Sequence, residues 1–126
     1  MAPEQRLSNM NILLVEDEVI IAMDLMESLQ EAGAQVSHAR NQKKALGLVD
    51  KGPFDVAVLD VNLGNGATCE PIAEALKQRG VPFVLHTGDL AKMGELVQRL
   101  EAPILPKPMR SERLIEMLLE IRTRAA

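Results

Sequence analysis

Four short apolar runs, each followed by a polar residue with useful chemistry, restrict this chain more than anything else in it. Asn11-Ile12-Leu13-Leu14-Val15 leads to Asp17, and Val56-Ala57-Val58-Leu59 leads to Asp60. Val84-Leu85 leads towards Thr87, and Ile104-Leu105 to Lys107. Runs of this kind read as strands buried on both faces. Helical patterns lie between them. In a parallel sheet the C-terminal strand ends share one edge, so residues far apart in sequence meet there. Paired acids, a further Asp, a Thr and a Lys form a set suited to a divalent cation and a phosphoryl group.

The connecting segments read as helices with ordinary punctuation. From Glu18, apolar residues recur at Ile21, Ala22, Leu25, Met26, Leu29 and Ala32, and Gly33 ends the helix. Gln35 to His38 is a short second strand. Asn41 is placed to cap a helix carrying Ala45, Leu48 and Val49, closed by Gly52-Pro53. The third strand runs from Asp55 to Leu59. A Gly- and Asn-rich loop, Asn62-Leu63-Gly64-Asn65-Gly66, precedes a helix with Ile72, Ala73 and Leu76 inward, Pro71 in its first turn and Gly80 at its end. Pro82 opens the fourth strand. Asp89 is expected to cap a fourth helix with Met93, Leu96, Val97 and Leu100 inward. Ser111 is expected to cap the fifth, with Leu114, Leu118 and Ile121 inward. Five β-α units predict an α/β fold: a doubly wound (βα)5, flavodoxin-like three-layer sandwich with a parallel sheet in the order 2-1-3-4-5. Residues 1–126 read as one domain with its core at 9–124, a mobile tail at 1–8 and no output domain.

Composition narrows the function classes. Aromatic residues make up 2% of the chain, with no Trp or Tyr, so stacking platforms for single-stranded nucleic acid or a flavin ring are missing. The net charge is −4 and the 14 basic residues are scattered, so direct nucleic-acid binding is disfavoured. The one cysteine, Cys69, rules out an internal disulfide and reads as a small helix residue. No apolar run approaches ~20 residues, so no helix should span a membrane. The N-terminus lacks the apolar core of a signal peptide. A cytoplasmic location is expected.

Glu16-Asp17-Glu18 after the first strand and Asp60 after the third meet at the topological switch point. Carboxylates gathered there repel one another unless a cation intervenes, and an all-oxygen donor set suits Mg2+. Asp17 and Asp60 are expected to bind it directly, Glu16 directly or through water, and the backbone carbonyl of Asn62 as a further ligand. Glu18 reads as an acid complementing the first helix dipole. Asp60 is the expected nucleophile towards phosphorus. Lys107 and the metal offset the phosphoryl charge, and Thr87 receives a phosphoryl oxygen. Prolines flank Lys107, and a cis Lys107–Pro108 peptide is expected. His38 and His86 read as strand-packing residues.

From about Asn9 to Arg124 the sequence resembles the receiver domain of two-component response regulators. The resemblance rests on Val15-Glu16-Asp17-Glu18, Leu59-Asp60-Val61-Asn62, Thr87-Gly88 and Lys107-Pro108 in that order. It implies phosphorylation of Asp60 by a histidine kinase or histidine phosphotransfer protein, with Mg2+, autodephosphorylation, and Thr87 as the switch that repositions the loop after the fourth strand. The signal would pass to a downstream protein through helix four, strand five and helix five, with the chain a monomer or a phosphorylation-dependent dimer. Ile104 departs from the strand-five aromatic of many receivers. Pro82-Phe83-Val84-Leu85-His86-Thr87-Gly88 is similar to a stand-alone receiver subgroup, with Leu85 and His86 as departures. Asn62 and Asp89 flank the path of attacking water in the family. The resemblance implies a phosphoacceptor rather than an enzyme. The alternatives are an unphosphorylated receiver-like interaction domain with a degenerate site, an Mg2+-dependent phosphatase with an aspartyl intermediate, and a flavin-binding module.

Overall fold

The computed structural model describes residues 5–88 and 90–125. Five strands alternate with five helices: β1 Asn11–Val15, α1 Val19–Glu31, β2 Gln35–Ala39, α2 Gln42–Lys51, β3 Val56–Asp60, α3 Glu70–Gln78, β4 Phe83–Thr87, α4 Leu90–Leu100, β5 Ile104–Pro106 and α5 Ser111–Ala125. The sheet is parallel with the order β2-β1-β3-β4-β5. The expected α/β sandwich is the observed one.

Period-two alternation along the buried strands splits the core into two layers. Ile12 and Leu14 of β1, Val56 and Val58 of β3 and Val84 of β4 pack with Ala22, Leu25 and Leu29 of α1 and Leu114, Leu118 and Ile121 of α5. Leu13, Val15, Ala57, Leu59 and Leu85 face the other way, onto Ala45, Val49, Ile72, Leu76, Leu96 and Leu100. The central strands are therefore apolar on both faces, and only their ends have room for polar groups.

Local signals set most of the boundaries. The Asn41 side chain accepts the Lys44 N–H at 2.8 Å and caps α2. Gly33, at φ +101°, turns the chain out of α1. The loop after β3 has left-handed residues at Gly64, Asn65 and Gly66. Lys107–Pro108 is cis, as expected, and Gly52–Pro53 is cis as well.

Four expectations change. The expected mobile tail does not extend to residue 8: Leu7 is fully buried beside α1 and β1, and its N–H donates to the Ala32 carbonyl at 2.7 Å. β3 runs Val56–Asp60, one residue later at each end than expected, and the Asp55 carboxylate accepts the Asn11 N–H at 2.7 Å just before it. Ser111 does not cap α5. It is the first helical residue, its hydroxyl pairs with that of Ser28 on α1 at 2.8 Å, and the first helical bond runs from the Leu114 N–H to the Arg110 carbonyl. Cys69 is the residue before α3 rather than within it, and burial pushes its thiol up to about 12, which leaves it unreactive. Residues 1–4, the capping role of Asp89 and the side chain of Met93 lie outside the described residues.

Candidate functional site

Register builds the site. Val15 pairs with Leu59 and Asp60 pairs with His86, so one residue past Val15 the chain reaches the level of Asp60. Glu16, Asp60 and His86 thus continue the positions of Leu14, Val58 and Val84, on the sheet face that packs against α1 and α5. Thr87 pairs with Pro106, which brings Lys107 to the same edge. The Lys107 N–H donates to the Thr87 carbonyl at 3.0 Å and fixes that approach. A cleft of about 230 Å3 opens here between Asp17, Glu18, Asp60, Asn62, Gly64, Thr87, Gly88 and Lys107. Among the described residues, every one expected at the site from the sequence lines this cleft except Glu16, which is buried behind it with no exposed surface.

The Lys107 ammonium bridges the acids. Its Nζ lies 3.2 Å from Asp60 Oδ2, 3.1 Å from Glu16 Oε1 and 3.8 Å from Glu18 Oε2. Burial works against the charged ammonium, but Asp60 and Glu16 outweigh it and hold the lysine above its ordinary pKa. Glu16 is taken up by the protein. Its Oε2 accepts the Glu18 N–H at 3.0 Å, and its backbone N–H donates to Ala39 at 3.1 Å. Burial pushes the Glu16 carboxyl up, yet contacts with His86, the Glu18 N–H, Asp60 and Lys107 together bring it down to about 2. Asp60, 3% exposed, moves the other way. Burial and then the neighbouring Glu16 raise it to about 8 against the pull of Lys107. Protonation of Asp60 would relieve the repulsion among these carboxylates.

A cation would relieve it more fully. Oxygens of Glu16, Asp17 and Asp60 lie within 4.8 Å of one another. Glu16 Oε1 is buried without an aligned hydrogen bond among the described residues. The residues present fit a hard divalent ion with oxygen ligands. Asn62 leaves the sheet beyond Asp60, and its side chain accepts the Gly64 N–H at 3.0 Å, shaping the loop beside Asp17. Asp89 lies outside the described residues.

The histidines depart from their expected part as strand packing alone. His38 Nε2 lies 2.8 Å from the Glu16 backbone carbonyl. His86, 1% exposed, places Nε2 at 3.2 Å from Glu16 Oε1. In the sequence the only trace of this is that His86 falls one residue before Thr87, within an apolar strand. A larger groove of about 420 Å3 opens near the N-terminal ends of β4 and β5, lined mainly by Val81, Phe83, Leu100 and Ile121, and lacks a comparable polar set.

Comparison with known proteins agrees with this geometry. The family model of the response regulator receiver domain matches residues 12–119. The transcriptional regulatory protein PdtaR of Mycobacterium tuberculosis (strain ATCC 25618 / H37Rv) is 31% identical over 77 residues, 60% of this chain and 38% of that protein. The match therefore spans well under half of that relative's length. A receiver domain protein (CheY-like) from Methanospirillum hungatei JF-1 superposes with a TM-score of 0.84 at 23% identity, over 94% of this chain and 97% of that one, which speaks for the fold. The non-phosphorylated HemR receiver domain of Leptospira biflexa gives 0.78 at 28% identity, over 91% and 95%. The chain belongs to the response regulator receiver domain family of two-component signalling.

Proposed function

We propose that this receiver takes a phosphoryl group on Asp60 from a phosphohistidine of a histidine kinase or histidine phosphotransfer protein. The observation that carries the reading is the Lys107 ammonium, 3.2 Å from a buried Asp60 that lies among further acids. An Asp60 oxygen attacks phosphorus in line as the P–N bond of the donor breaks. The electron pair leaves on the donor imidazole nitrogen, which takes up a proton, and an acyl phosphate remains on Asp60. Lys107 moves with the developing charge on the phosphoryl oxygens, because it already spans Asp60 and Glu16. Asp17, Asp60 and the backbone carbonyl of Asn62 would hold Mg2+, with Glu16 acting through a water. Bound there, the ion neutralises carboxylate and phosphoryl charge. Asp60 must be ionised to attack, and the same neutralisation favours that state.

Thr87 ends β4 at the cleft, and on this reading its hydroxyl donates to a phosphoryl oxygen, shifting the segment that leads into α4. The α4–β5–α5 face then presents a changed surface to a downstream protein. On this reading the chain is a stoichiometric acceptor that slowly loses its phosphate to water, not a turnover enzyme. It would work in the cytoplasm, where kinase domains hold phosphohistidine. No helix among the described residues is long and apolar enough to cross a membrane.

The test is intact mass after incubation with acetyl phosphate or phosphoramidate. We expect a gain of one phosphoryl group that requires Mg2+ and disappears in Asp60→Asn. Labelling that persists in Asp60→Asn would remove Asp60 as the acceptor. Absence of labelling with small donors and with a phosphohistidine protein alike would favour an unphosphorylated interaction domain.

A further inference from the structure

Both histidines of the chain meet one residue, Glu16. His38 holds its backbone carbonyl on the β2 side. His86 reaches across β3 from β4 and meets its carboxylate. The strand that supplies His86 is otherwise Phe83, Val84, Leu85 and Thr87, all buried. A buried imidazole in such a strand costs free energy unless it is paired, whereas an aliphatic side chain would pack there at no such cost. Neither ring nitrogen completes an aligned hydrogen bond among the described residues, so the 3.2 Å approach to Glu16 Oε1 is the polar contact that the ring makes there. That same oxygen lies 3.1 Å from Lys107 Nζ. His86, Glu16 and Lys107 therefore form a chain of contacts that ends on Asp60.

We infer that His86 is a positioning residue for phosphoryl transfer: its Nε2–H holds the buried Glu16 carboxylate against Lys107, which keeps the lysine aimed at Asp60. The proton on Nε2 is available in the neutral ring as well as in the charged one, so the role does not depend on the charge of the ring. The Glu18 N–H holds Glu16 Oε2 and His38 meets its backbone carbonyl, while Oε1 lies between Lys107 Nζ at 3.1 Å and, from β4 among the described residues, His86. Removing the imidazole loosens the carboxylate on its Oε1 side, and the ammonium that meets both its oxygens shifts with it. The inference rests on the reading of Asp60 as acceptor.

The test compares wild type with His86→Leu, His86→Met and His86→Gln, following phosphoryl uptake from phosphoramidate at saturating Mg2+ by intact mass. A purely structural role ranks the apolar variants at or above wild type and glutamine below them. The positioning role reverses that order. Loss of one close polar contact to a charged group predicts uptake slower by roughly tenfold in Leu and Met. Glutamine, whose amide N–H replaces the ring Nε2–H, should restore most of the rate. Urea unfolding of each variant identifies any that fail to fold, and the second apolar variant then carries the comparison. Uptake by a folded apolar variant at the wild-type rate, or a glutamine variant as slow as the apolar ones, would overturn the inference while leaving Asp60 as acceptor. A wild type that takes no phosphoryl group from any donor would overturn both readings together.

Discussion

Asp60 sits between two carboxylates and one ammonium, and the balance among them decides its charge. In the unfolded chain its carboxyl titrates near 3.8, whereas burial and then Glu16 push it to about 8 in the fold. The folded chain then binds the proton more tightly, so the stability linked to it is present below about 3.8 and is lost as pH rises towards 8. Glu16 runs oppositely: its lowered value adds stability above 4.5 that is lost as pH falls towards 2. Between 4.5 and 8 the slope from this pair thus belongs to Asp60. With a chelator present, the urea midpoint should fall between about pH 5 and 8 in wild type, and the fall should flatten in Asp60→Asn. An equal slope in both proteins would show that other groups set it. At this scale Asp17, Asp60, Thr87 and Lys107 were legible because each follows an apolar run that could only be a buried strand. His86 was not, since a histidine in a strand has no partner until the strands are ordered side by side.

A side-chain cap closes the start of α2, whereas α1 and α3 begin without one. Asn41 does its work alone: its carboxamide oxygen takes the Lys44 N–H, and its backbone is extended. Asn41→Ala should cost about 1 kcal/mol in urea unfolding, with phosphoryl uptake unchanged, because α2 packs away from the cleft. An unaltered midpoint would mean that water replaces the cap without loss. Ser111 carried the same kind of signal and read as a cap, yet its hydroxyl turns to Ser28 of α1. Capping preference is local, and a contact 83 residues away in sequence overrode it. Leu7 shows the same limit. A single leucine among polar neighbours looks like a tail, and only the space between α1 and β1 makes it core.

For the whole molecule, the sheet brings like charges together and so stores repulsion that a cation can release. Mg2+ should raise the thermal midpoint, in proportion to the logarithm of its concentration above the dissociation constant, and Asp17→Asn should lose most of that rise. A shift that is the same in both proteins would place the ion elsewhere. The residue types and the four apolar runs determined the fold class, the strand order expected of a doubly wound sheet, and the acids, Thr87 and Lys107 of the candidate site. They do so because burial on both faces and the parallel crossover leave few ways to arrange such runs. Only the tertiary structure decided that Glu16 is buried and bracketed by His38 and His86, that Leu7 belongs to the core, and that Ser111 bonds across to α1. Those are contacts between side chains distant in sequence, where the register of neighbouring strands and the packing of helices, not local pattern, set which groups come within hydrogen-bonding reach.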